Sequence, residues 1–184
     1  YLQREYIPLR AVEPDDLDYL YLIENDSSVW YEGATVAPYS RALLHQYIDQ
    51  YTSDIYRDRQ LRLIVTLNTT GARVGIADLY EYDPTHNRAG VGLYINPEYR
   101  RQGYGRESLN ALCEYAFDLL HMHQLYAIAR IGNKASISLF TACGFNRHNT
   151  LHEWVREHDH YTDALIMQYI RRTSSTPNIS HQDE

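Results

Sequence analysis

The sequence predicts a mixed α/β sheet, and three observations predict it. Strand-like and helix-like runs alternate in the order β-α-α-β-β-β-α-β-α-β-β. Residues 61–84, LRLIVTLNTTGARVGIADLYEYDP, set two β-rich runs on either side of an Asn-Thr-Thr-Gly turn, a hairpin signature. Residues 95–117, INPEYRRQGYGRESLNALCEYAF, pass from an apolar strand end through a turn proline and two glycines into a long amphipathic helix. The chain has 184 residues, enough to bury one sizeable core, and no repeat or linker divides it. The reading is therefore one domain over 1–172, followed by a disordered polar tail over 173–184.

Each element has its own signal. EYIPLRAVEPDDLDYLYLIEN reads as a short strand and then a helix. Pro14, Asp15 and Asp16 mark its start, and Leu17, Leu20, Tyr21 and Ile23 form its apolar stripe. A loop with Gly33 and Pro38 follows. Residues 40–58 read as one helix capped by Ser40, with Leu43, Leu44, Tyr47, Ile48 and Tyr51 on one face. After the hairpin, RAGVGLYINPEY is a third long strand. A helix then spans Gly103 to His121, with Leu109, Leu112, Ala116, Phe117 and Leu120 at helical spacing. QLYAIARI is a strand, and NKASISLFTACGF is a short helix that Gly144 ends. Two strands, Thr150–Glu157 and Tyr161–Arg171, complete the sheet.

Composition narrows the function. A net charge of -7 argues against a general nucleic-acid binder, which needs a basic surface. No apolar run approaches the roughly 20 residues of a membrane span, so no membrane partner is expected. Cys113 and Cys143 sit in apolar helical settings and make no metal or disulfide pattern. They read as buried free thiols of a reducing, cytoplasmic compartment, since no secretory leader is visible. His152, His158 and His160 lack zinc-ligand spacing, so no metal is expected. Most of the 18 tyrosines read as half-buried strand residues.

The passage Arg100-x-x-Gly103-x-Gly105 carries the chemistry. A helix's first turn exposes amides that lack a partner in the helix, and the helix dipole adds positive charge there. Glycine lets the backbone approach an anion closely, and Arg100, Arg101 and Arg106 surround it with charge. A phosphate group suits such a place. On the pattern alone, a glycine-rich turn with a solvated basic face remains equally open. No Gly-Lys-Ser/Thr ending is present, which excludes a nucleotide P-loop. The glycine spacing also fits a dinucleotide fold poorly.

Further text resolves the choice. Asn133 follows a strand directly, Ser136 lies three residues on, then Phe140 and Cys143-Gly144-Phe145. With LRAVEPDDLDYLYLIEND, VGIADLYEYDPTHNRAGVGLYINPEYRRQGYG and YTDALIM, these motifs resemble the GNAT superfamily of acetyl-CoA-dependent N-acetyltransferases, in its ribosomal-protein and spermidine N-acetyltransferase branch. The resemblance runs from about Glu5 to Arg171. It implies a mostly antiparallel twisted sheet with flanking helices and one parallel strand pair that splays apart. It also implies acetyl-CoA as co-substrate. Leu93, Tyr94 and Ile95 would pair with the pantetheine arm, amides from Arg100 through Gln102, Gly103, Tyr104, Gly105 and Arg106 would cradle the pyrophosphate, and Asn133 and Ser136 would touch its other side. Asn133 is also apt as a helix cap.

The reaction the resemblance implies is attack of an amine on the thioester. An alkylammonium has a pKa near ~10.4 and must first lose a proton. Three carboxylates are candidate bases: Asp78, Glu81 and Glu32. Asp78 and Glu81 point to opposite faces of an ideal strand, so only one faces the cleft unless a bulge intervenes. The family usually protonates the departing thiolate with a tyrosine at the position of Phe140. Phenylalanine cannot do so; the thiolate leaves unaided, or Tyr94, Tyr126 or a water serves. The acidic pair that grips polyamines in spermidine enzymes is replaced here by Val36 and Ala37, with the aromatics Trp30, Tyr31 and Tyr39 nearby. The acceptor is expected to be a primary amine (a protein N-terminal amine, a lysine or a small amine), with polyamine as the alternative. A non-catalytic acyl-CoA-binding module stays open because of Phe140, and so does a homo-oligomer.

Overall fold

A computed structural model describes residues 1–5, 7–27, 30 and 37–171, the side chains of 147 and 148 excepted. Its centre is one seven-stranded sheet in the order β1-β2-β3-β4-β5-β7-β6. The strands are β1 (Leu9–Ala11), β2 (Leu61–Thr66), β3 (Arg73–Asp83), β4 (Arg88–Ile95), β5 (Gln124–Arg130), β6 (Asn146–Glu157) and β7 (His160–Ile170). Every neighbouring pair is antiparallel except β4 and β5. The mixed, mostly antiparallel sheet with one parallel pair is therefore as expected.

Helices cover both faces. On one side, α1 (Leu17–Glu24) and α2 (Arg41–Gln50) bury Leu20 and Leu44 against Ile64 of β2 and Ile76 of β3. On the other, α4 (Tyr104–Glu114) and α5 (Lys134–Ala142) bury Leu109, Leu112, Ile137 and Phe140 against Leu79, Val91 and Leu125. Alternation along the strands produces this division. In β3, Ile76, Asp78 and Tyr80 share the α1/α2 face, while Ala77 and Leu79 enter the larger core. A row of edge-to-face aromatics extends that core: Phe140 on Phe145 at 5.0 Å, Phe145 on Tyr169 at 5.5 Å, and Tyr169 on Phe117 at 4.8 Å.

Several boundaries differ from expectation. The single helix expected over 40–58 is two: α2 stops at Gln50, and a short α3 (Ile55–Asp58) begins after a break. Tyr51 turns extended at ψ 119 and Ser53 is left-handed at φ 57. The Thr-Ser-Asp stretch causes this, because short polar side chains compete for backbone hydrogen bonds. Asp54 accepts from the Tyr56 and Arg57 amides, and the Thr52 hydroxyl donates to Asp58. A 3-10 turn, Pro14–Asp16, precedes α1. After α4 the chain widens into a π-helical turn over Tyr115–Leu119 and stops two residues short of His121. β6 starts at Asn146 rather than Thr150. It is an edge strand, so its first residues need not be apolar, and no hydrophobic alternation announces them.

Gly144 ends α5 in a left-handed conformation at φ 100, as expected. Cys113 and Cys143 are buried free thiols. His152 pairs with Asp163, and His160 lies against Glu157 and Asp159. The tail from 173 lies outside the described residues.

Candidate active site

The parallel pair opens the site. β4 and β5 are in register only at Arg88–Gln124, Ala89–Leu125 and Gly90–Tyr126. β4 then continues to Ile95 and β5 to Arg130, so the two strands part beyond Gly90. On its other edge β4 stays paired with β3 as far as Gly75–Ile95. The edge of β4 that turns toward β5 therefore presents backbone from Val91 to Ile95 that no described strand pairs. A cleft of about 1020 Å³ occupies the gap.

One end of it is cationic. Arg100 and Arg101 line it from the β4–α4 loop, Arg106 from the first turn of α4, and Asn133, Lys134 and Ser136 from the start of α5. The Arg100 guanidinium donates to the Ile95 carbonyl at 2.8 Å and lies 5.7 Å from the centre of the Tyr94 ring. The loop bends through two left-handed residues, Arg101 at φ 60 and Gly103 at φ 87. Its chain neighbours apart, no described atom lies within 4 Å of where a Cβ on Gly103 would stand. The first helical bond of α4 runs from the Glu107 amide to the Gly103 carbonyl at 3.1 Å. The amides of Tyr104, Gly105 and Arg106 precede that ladder and have no partner within the helix. Asn133 caps α5 by accepting from the Ser136 amide at 3.1 Å. Open space at Gly103, unladdered amides and three arginines are what a diphosphate requires, so the residues fit one.

The other end is acidic. Register sets Arg62 of β2, Asp78 of β3 and Gly92 of β4 directly across from one another on one face. The Arg62 guanidinium donates to both Asp78 oxygens, at 2.9 and 3.0 Å, and also to Glu24 at the end of α1. Burial works against the Arg62 charge, yet Asp78 and Glu24 hold it above arginine's ordinary pKa. Asp26 and Trp30 complete this wall. The floor is apolar, with Leu93, Ile95, Leu139 and Phe140.

Of the residues singled out in the sequence, the cleft brings together Asp78, Leu93, Tyr94, Ile95, Arg100, Arg101, Gly103, Gly105, Arg106, Asn133, Ser136 and Phe140. Gln102 donates to the Glu98 carbonyl at 3.1 Å, and the Tyr104 ring packs on the main core, so both bring backbone rather than side chain to the loop. Glu81 points elsewhere. It sits at a bulge with φ 50 and accepts from the Tyr126 hydroxyl at 2.7 Å. Burial and that bond raise the Tyr126 pKa. Glu32 lies outside the described residues. Tyr94 lines the cleft half-buried, and burial raises its pKa. Arg62 and Glu24 were not anticipated. The signal was present in Arg62, the one charge inside an otherwise apolar strand, LRLIVT.

A splayed parallel pair beside a cationic helix start is the geometry the motifs anticipate. A family model described as an acetyltransferase (GNAT) domain matches residues 7–146. The chain belongs to the GNAT acetyltransferase family. Among GNAT relatives it is similar to the spermidine N(1)-acetyltransferase of Escherichia coli K12, 27% identical over 164 residues, which cover 88% of this chain and 84% of the relative. It is also similar to the spermidine N(1)-acetyltransferase of Vibrio cholerae, 24% identical over 168 residues, 90% of this chain and 93% of the relative. The fold superposes on a crystal structure of the Vibrio cholerae spermidine N-acetyltransferase in complex with CoA and spermine with a TM-score of 0.80. That match covers 91% of this chain and 96% of the other at 24% identity. This GNAT chain is an acetyltransferase.

Proposed function

We propose that the protein moves the acetyl group of acetyl-CoA onto a primary amine held between Asp78 and the splayed edge of β4. The observation that carries this reading is the cleft itself, cationic at one end and acidic at the other. The diphosphate of the co-substrate would lie on the amides of Tyr104, Gly105 and Arg106. Its pantetheine arm would run along Leu93, Tyr94 and Ile95 as a substitute for the missing strand.

The chain's own groups then account for each requirement. An ammonium is drawn to the acidic wall, where Glu24, Asp26 and Asp78 outnumber Arg62. Asp78 accepts its proton directly, and the freed nitrogen attacks the thioester carbonyl. Asp78 is the better supported base because it is among the residues that line the cleft and Glu81 is not. A β4 amide beyond Gly90 donates to the oxyanion. The departing thiol has a pKa near ~8.5 and can leave as a thiolate; the Tyr94 hydroxyl is the phenol available in the cleft. The acceptor is a protein N-terminal amine, a lysine or a small amine. The named activities of the relatives support polyamines as the alternative. A Vibrio cholerae spermidine N-acetyltransferase is described as dodecameric, which supports homo-oligomeric assembly here.

A second reading, acyl-CoA binding without transfer, draws on Phe140, which is buried against Phe145. Thiol release with a panel of polyamines, lysine and peptide α-amines separates the two. Turnover is expected, and Asp78→Asn is expected to lower kcat by about 10²–10⁴-fold with coenzyme A affinity unchanged. Tight coenzyme A binding with no transfer to any amine in the panel favours the second reading.

A further inference from the structure

Glycine is disfavoured inside strands unless something approaches its backbone closely. Among the described residues, three strand glycines lie in β3 and β4, and two have such a reason. A Cβ on Gly75 would stand 2.3 Å from the Tyr94 carbonyl oxygen, and one on Gly90 would stand 2.3 Å from the Tyr80 ring. Gly92 has none. Its φ is not left-handed, and the nearest described atoms to its Cβ position are ordinary contacts: Asp78 Cβ at 3.6 Å, Asp78 Oδ2 at 3.9 Å and Tyr80 Cε1 at 3.9 Å. An alanine would fit the fold, so neither packing nor backbone conformation calls for glycine there.

The place of Gly92 is informative. It lies two residues beyond the last paired position of β4 and β5, directly opposite Asp78 of β3, on the wall of the cleft. An amine that bonds the Asp78 carboxylate and reaches a thioester lying along β4 has to pass over this residue. A Cβ within 4 Å of Asp78 Oδ2 would occupy the volume next to that nitrogen. A nitrogen on an unbranched chain brings one CH₂ into this volume. A nitrogen on a branched carbon, as in a peptide α-amine, brings two substituents.

We propose that Gly92 is the specificity-determining residue on the acceptor side, and that its bare backbone admits amines borne on a branched carbon. This rests on the acetyl-transfer reading given above.

Acetylation kinetics of the full chain test it, with two acceptors: an alanyl peptide whose only amine is its α-amine, and spermidine as an unbranched amine. In Gly92→Ala, kcat/KM for the peptide is expected to fall at least tenfold and that for spermidine no more than threefold. Coenzyme A affinity by calorimetry should stay within twofold, and the melting temperature should hold or rise. Gly92→Val, with a second branch point, should abolish the peptide reaction. If Gly92→Ala changes both acceptors equally, or neither, or if the unaltered protein acetylates spermidine but not the peptide, the proposal is overturned. A loss that tracks reduced coenzyme A affinity or a lower melting temperature also overturns it, by showing a structural role. If the unaltered protein binds coenzyme A but acetylates neither acceptor, nor any other amine, the acetyl-transfer reading fails, and this proposal fails with it.

Discussion

Gly103 shows how much one residue decides. Its backbone is left-handed, and the space where a side chain would stand is open. Gly103→Asp is expected to weaken coenzyme A binding at least 100-fold by calorimetry, because it adds a carboxylate where a diphosphate would sit. Gly103→Asn, which also tolerates the left-handed region but carries no charge, should lose much less. Phe140 makes the complementary case. Its ring lies at the cleft floor against Phe145, so Phe140→Tyr is expected to leave the acetylation rate equal or higher. A collapse in rate would mean that the added hydroxyl cannot reach the cleft. Gly103 was legible from its motif, and the missing phenol at Phe140 only through the resemblance to the family. The choice between Asp78 and Glu81 was not. Their odd spacing assigned them opposite faces, but which face meets the cleft depends on the pairing of β3 with β4.

At the level of elements, the sequence revealed what periodicity and turn chemistry encode and missed what neighbours impose. The 61–66/73–83 hairpin and the β4-to-α4 passage were readable from local text. The break at Tyr51–Asp54 had a local signal, Thr-Ser-Asp, which the apolar stripe continuing through Tyr51 obscured. The tie joining α1, β2 and β3 could not be read, because Glu24, Arg62 and Asp78 meet only once the strands pair. That tie should be energetically consequential. Arg62→Met would leave two carboxylates facing each other with little solvent, the Arg62 side chain being only 22% exposed. We expect a loss on the order of 3 kcal/mol, seen as a lower urea midpoint. Adding Asp78→Asn to Arg62→Met should recover part of it, since the two changes act on one interaction.

For the molecule as a whole, acid sensitivity has an identifiable centre. Asp16 is fully buried and is bonded by Arg10, Arg73 and the Glu13 amide, joining the 3-10 turn before α1 to β1 and β3. Burial alone would raise its pKa, but the two guanidinium bonds and the amide bring it to about 2 from the ordinary 3.8. A carboxylate held below its unfolded value stabilises the fold above that value. The contribution is therefore fully present above about pH 4 and is lost as pH falls through about 2, amounting to roughly 2 kcal/mol. Urea titrations between pH 2 and 5 should show this slope, and Asp16→Asn should flatten it while lowering stability at neutral pH.

The three-residue seam between β4 and β5 has one more consequence. A sheet normally transmits rigidity through continuous ladders, and here the two halves are stitched at one end only, like a jacket zipped a short way. A thioester arm lying along Val91–Ile95 would close the remainder, so the molecule that carries the acetyl group would also serve as mortar between the halves. Loading and release of that molecule would then alternately stiffen and slacken the whole scaffold.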